Sequence, residues 1–126
     1  MTASEYRNAG YKVSDSVSQS AIDAAEADAA AYYVEPVKGG DYDPESVTEK
    51  ACVMALAFIL LSRSGVAVSR SGAVTKRAEE SERAELEKVL QYNAAKAHAL
   101  LSELGDAGKC SDIAGIYFKS NYFYNH

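Results

Sequence analysis

Residues 43–63, DPESVTEKACVMALAFILLSR, decide the fold. Eleven apolar residues run without interruption from Ala51 to Leu61, against the roughly 20 that a membrane-spanning helix needs. The run is a buried helix of a globular body. Its start is marked by Asp43 and Pro44: the carboxylate accepts a free backbone N–H, and proline at the first helical position lacks only a donor that had no partner there. The spacing predicts a helix over 44–62. Val47, Ala51, Met54 or Ala55, Phe58 and Leu61 form one stripe, and Cys52, Leu56, Ile59 and Leu60 spread apolar character around the rest of the cylinder. Such a helix is central and covered on most sides.

Two further helices flank it. In SQSAIDAAEADAAAYYVEPV, residues 18–37, Ile22, Ala25, Ala29 and Tyr32 or Tyr33 recur at helical spacing, with Ser18 or Ser20 available as a cap. Pro36 disfavours helical geometry at Glu35, so this helix is expected over 19–34. Gly39 and Gly40 follow in a loop. The third helix is expected over 79–104, with Leu86, Leu90, Ala97, Leu100 or Leu101, and Leu104 inward, and Gly105 as its stop. Its apolar seam is not a sustained heptad, which favours packing within the domain over a coiled coil. Leu56, Phe58, Ile59, Leu90 and Leu101 are the expected core.

A chain of 126 residues with 48% hydrophobic and 25% charged residues is long enough for one core and too apolar for a disordered tail. The net charge of −5 argues against a protein whose overall field wraps nucleic acid. That charge is uneven. Residues 1–60 hold ten acids and four bases (−6), and residues 61–126 hold eight acids and nine bases (+1). Cys52 and Cys110 are too few and too far apart for a zinc motif or a disulfide framework, so no metal site is expected. The opening MTASEYRNAG lacks the apolar region of a secretory signal, and an intracellular origin is the expectation.

The connector between the second and third helices repeats Ser-Arg-Ser-Gly in SRSGVAVSRSGAV, residues 62–74. The first copy closes the central helix. The second sits in the alternating stretch Val66, Val68, Arg70, Gly72, Val74, which reads as two short strands, a projecting hairpin or a loop. It lacks the Gly-x-x-x-x-Gly-Lys-Ser/Thr pattern of a phosphate loop. Arg63, Arg70, Lys76 and Arg77 lie in a run with no acid between them, which is either a solvated connector or a basic contact surface.

Catalytic constellations are sparse. His98 and His126 are the only histidines and stand at no ligand spacing, there is no Gly-x-Ser-x-Gly elbow, and no catalytic residue, enzyme activity or cofactor is expected. The C-terminal IAGIYFKSNYFYNH, residues 113–126, concentrates Tyr117, Phe118, Tyr122, Phe123 and Tyr124 in a stretch too short to bury five rings by itself. It either lies back on its own core or docks on another chain.

The segments AIDAAEADAAAYYVEPV (21–37), KACVMALAFILLSRS (50–64), VAVSRSGAVTK (66–76) and ERAELEKVLQYNAAKAHALLSEL (82–104) together resemble the head-tail connector (adaptor) proteins of tailed bacteriophages, especially phages and prophages of Bacteroides-like hosts. The resemblance covers residues 18–104 and rests on helix order, a Tyr-x-x-Pro ending of the first helix and the Arg-Ser-Gly-Ala-Val-Thr-Lys stretch. It implies a structural virion protein, a subunit of a homo-oligomeric ring, commonly dodecameric, in the neck between the portal protein and the tail or a second adaptor. Loops of such rings face the DNA channel, and terminal arms grip neighbours. Arg63, Arg70, Lys76 and Arg77 would then face the channel or the adjoining ring, and the aromatic arm would dock on protein, with no membrane involved. The alternative is a stand-alone helical protein-protein interaction module. The fold expectation is mainly α: a small bundle of three main helices with a short β-hairpin or loop insertion and an extended C-terminal arm. The organisation is an N-terminal segment 1–17, a helical domain 18–105 and an aromatic arm 106–126.

Overall fold

Apolar spacing and cap residues produce five helical segments in a computed structural model that describes the backbone of residues 1–63 and 76–105 and the side chains of 1–62 and 87–105. They are α1 (Ala3–Asn8), α2 (Gln19–Ala29), α3 (Glu35–Lys38), α4 (Val47–Arg63) and α5 (Lys76–Leu104), with a π-helical turn at Ala30–Val34 joining α2 to α3. The protein is mainly α, with α4 at the centre. Leu56, Phe58, Ile59, Leu90 and Leu101 are all buried, as their spacing requires. The connector 64–75 and the arm 106–126, with the hairpin and arm expected there, lie outside the described residues.

The α2 start follows the sequence: Ser18 caps it by accepting the Ala21 N–H at 3.2 Å. Its end does not. The helical path continues through Pro36 to Lys38 instead of stopping near Val34, because the π turn intervenes. A proline lacks an N–H and its ring meets the carbonyl four residues back. The wider turn, closed by the Glu35 N–H on the Ala30 carbonyl, accommodates the ring. The same turn leaves Tyr33 packed against the core and Tyr32 outside it. Gly39, at φ 78°, then ends α3 in the left-handed region.

The central helix begins three residues later than Asp43-Pro44 suggests. Asp43 Oδ1 accepts the Glu45 N–H at 2.9 Å and its carbonyl accepts the Ser46 N–H, so residues 43–46 form a turn. Ser46 is the working cap, its Oγ accepting the Glu49 N–H at 3.3 Å. Val47 consequently lies in the first turn, 84% exposed, outside the apolar stripe.

α4 and α5 run antiparallel. Cys52 Sγ donates to the Ala97 carbonyl, and Gly105 beyond the end of α5 abuts Val37, next to the start of α4. Pairing 52 with 97 places Arg63 opposite about residue 86. At 1.5 Å per residue the first turns of α5, residues 76–85, therefore extend about 15 Å past the end of α4.

The N-terminal segment 1–17 holds α1 and four core side chains: Tyr6, Tyr11, Val13 and Val17. Thr2 and Glu5 form a reciprocal capping box. The Thr2 N–H holds the exposed Glu5 carboxyl below its ordinary value. Tyr6 donates to Glu26 Oε2 at 2.8 Å, and the Met1 ammonium meets Glu26 Oε1 at 2.9 Å. Tyr11 sits edge-on to Tyr6 and packs on Phe58, with Lys96 of α5 over its ring. One small aromatic cluster thus ties the first residues to α2, α4 and α5.

Candidate protein interface

Of the residues singled out by sequence, Arg63, Lys76 and Arg77 have a described backbone. Arg63 closes α4, and Lys76 and Arg77 form the first turn of α5, three residues earlier than the expected helix start at 79. Arg70 lies in the connector, outside the described residues, as do Tyr117, Phe118, Tyr122, Phe123 and Tyr124. The chain enters the arm from Gly105, at the opposite end of α5.

That departure point is fixed by close packing. A Cβ on Gly105 would overlap the Val37 carbonyl oxygen and approach its carbon to 3.1 Å, so the backbone at α3 and at the α5 terminus touch. Gly105 is thus a glycine of close approach; the left-handed glycines among the described residues are Gly10 and Gly39.

Beside it, Lys38 Nζ donates to both Glu49 carboxylate oxygens at 2.9 Å and to the Asp41 carbonyl at 2.7 Å. Glu49 also accepts the Asp43 N–H at 2.9 Å, and Glu35 accepts the Tyr42 N–H at 2.9 Å. Glu49 is buried, and these charge-assisted bonds satisfy a carboxylate that burial would otherwise penalise. The result is a rigid corner, with loop 39–46 stapled to α3 and α4.

The outward faces of α2 and α5 were not singled out by sequence. On α2, Asp23 and Asp28 are exposed, with exposed alanines between them, and Tyr32 follows at 69% exposure. On α5, Lys88 and Lys96 are exposed around Tyr92, which is 70% exposed. Large side chains this exposed on a body that buries Tyr6 completely are surface features, not core edges. The signal was present for Tyr92, which stands between Gln91 and Asn93 and off the leucine stripe. For Tyr32 there was none, since the π turn sets its direction. Buried Asn93 spends its amide on the Val89 carbonyl of its own helix at 2.9 Å.

His98 is half-buried on α5 and Cys52 is in the core. No group of three metal-ligating side chains occurs among the described residues, and no helix among them is long and apolar enough to cross a membrane. Compared with known proteins, the chain matches no family model, no curated protein and no solved structure.

Proposed function

We propose that the protein is a structural subunit of the head-tail connector ring of a tailed bacteriophage, acting in the neck of the virion between portal and tail. The observation that carries this reading is the division of the molecule along α5. One end carries Lys76 and Arg77 about 15 Å past the end of α4, and the other end, Gly105, leads into five closely spaced aromatics. The first turn of α5 opens with Lys76 and Arg77 ahead of Glu79 and Glu80, so these two bases, and not the turn as a whole, would meet a phosphate backbone. One copy holds few bases and would grip DNA weakly; a ring repeats them around the channel and tracks phosphates without reading sequence. The aromatic segment that follows Gly105 in the sequence suits contact with a neighbouring subunit or the portal.

Mass spectrometry of purified tailed particles tests the assignment, which absence of the chain from those particles overturns. Particles carrying Arg70→Glu with Lys76→Glu should assemble normally and retain or eject DNA abnormally. Normal DNA handling would reduce the segment to a connector, and failed assembly would move its role to the subunit contact. A chain that stays monomeric and binds one partner through the arm would instead be the stand-alone interaction module.

A further inference from the structure

The outer side of the helical path from α2 to α3 is exposed at every fourth position: Ser20, Ala24, Asp28, Tyr32 and Pro36. Ile22, Ala25, Ala29 and Val34 are buried on the other side. The last turns of this stripe are apolar, with Tyr32 69% exposed and Ala31 and Pro36 exposed next to it. Its charge is acidic. Asp28 is exposed one turn before Tyr32, and the only base from residue 19 to residue 38 is Lys38, which is held by Glu49 and Asp41. α5 ends at the same place, because Gly105 abuts the carbonyl of Val37, the residue after Pro36. The sequence that follows has the complementary composition: residues 113–126 hold five aromatics, the base Lys119 and no acid. Residues 106–112 span at most about 25 Å when extended, and Tyr32 is only about 8 Å from Val37 along the helical path. The other large apolar side chains exposed among the described residues are worse placed. Tyr92 and Val89 lie about 20 Å or more back along α5 from Gly105, and Val47 stands between exposed Glu45 and Lys50.

We infer that in the unassembled chain residues 113–126 fold back on the stripe formed by Asp28, Tyr32 and Pro36 of the same chain. The aromatic rings cover Tyr32 and Pro36, which supplies the attraction, and Lys119 meets Asp28, which sets the register. A tether this short gives an effective concentration of the order of mM, so a contact with a Kd of about 0.1 mM is closed about tenfold over open. The seat concerns the chain before it meets a partner and therefore stands or falls apart from the ring reading. A partner that takes the arm first displaces it from Tyr32.

A single tryptophan reads the contact. The chain has none, so Phe118→Trp in the full chain places its only indole in the arm. The emission should be blue-shifted and shielded from acrylamide at every concentration from about 1 to 100 µM, because closure within one chain does not depend on concentration. In that background Tyr32→Ser should shift the emission to the red and cut the closed-to-open ratio about tenfold. Ala31→Lys, which sets a like charge against Lys119, should act in the same direction. Tyr92→Ser on α5 should leave the emission unchanged. Tyr32, Ala31 and Tyr92 are all exposed, and circular dichroism melts verify the fold of each variant. An indole already red and open to acrylamide before the surface changes overturns the proposal, as does a blue emission that neither Tyr32→Ser nor Ala31→Lys moves. A blue emission that develops only as concentration rises places the arm on a second copy and overturns it too. Absence of the chain from virions, with the tryptophan results as expected, would defeat the phage reading alone.

Discussion

Gly105→Ala sets two physical effects of opposite sign against each other. Its backbone is not in the left-handed region, and the Gly105 N–H continues the helical pattern by donating to the Leu101 carbonyl at 3.0 Å. By helix propensity and unfolded-chain entropy alone, alanine should stabilise by about 0.4–1 kcal/mol. The packing says otherwise, because the new methyl would land on the carbonyl of Val37, a backbone atom of a buried residue. Overpacking of this kind costs about 1–3 kcal/mol. Subtracting the propensity gain leaves a net loss of about 0.6–2 kcal/mol, or roughly 2–8 °C in Tm for a domain of this size. Two other glycines calibrate the measurement. A Cβ on Gly40 meets nothing within 4 Å and its φ is not positive, so Gly40→Ala should be neutral or stabilising. A Cβ on Gly39 is equally unobstructed, yet φ is 78°, and Gly39→Ala should lose about 1–2 kcal/mol through backbone strain alone. Thermal melts of the three variants by circular dichroism decide the matter. If Gly105→Ala melts at or above the parent, alongside Gly40→Ala, the docking of the α5 terminus on Val37 is wrong.

Leu56→Ala removes a fully buried side chain from the centre of α4 and should cost about 2–5 kcal/mol in chemical denaturation; a midpoint equal to the parent's would refute the central placement. Burial raises the phenol pKa of Tyr6, Tyr11 and Tyr42 above the ordinary 10.0, for Tyr6 with the Glu26 carboxylate adding to it. Their neutral forms are favoured in the fold, so this contribution is complete below about pH 10 and is lost as pH rises beyond it, where the unfolded chain ionises first. Tyr6→Phe should cost about 1.5–3 kcal/mol at neutral pH through the lost bond to Glu26, and make the alkaline decline shallower; an unchanged alkaline slope would rule Tyr6 out as its source. Deleting residues 115–126 should leave the helical circular dichroism signal nearly intact while abolishing assembly, and loss of the fold instead would make the arm part of the core.

The sequence by itself determined the helices that carry their own signals. The apolar run of α4, the Ser18 cap of α2 and the leucine spacing of α5 are local, and burial of Leu56, Phe58, Ile59, Leu90 and Leu101 follows from periodicity once a core exists. The N-terminal helix was not read from the sequence: its capping box of Thr2 and Glu5 is local, but six residues are too few to stand alone. Only burial of Tyr6 and Tyr11 against α2, α4 and α5 makes it part of the body, and that contact is long-range. Tertiary structure also decided the passage of the helix through Pro36, where a π turn opens the backbone, and with it the outward placement of Tyr32. It decided that Gly105 is required by a neighbour more than 60 residues away instead of by its own φ. Which carboxylates stay at the surface of α2 belongs to the same class, because it depends on Glu26 and Glu35 finding partners across the fold.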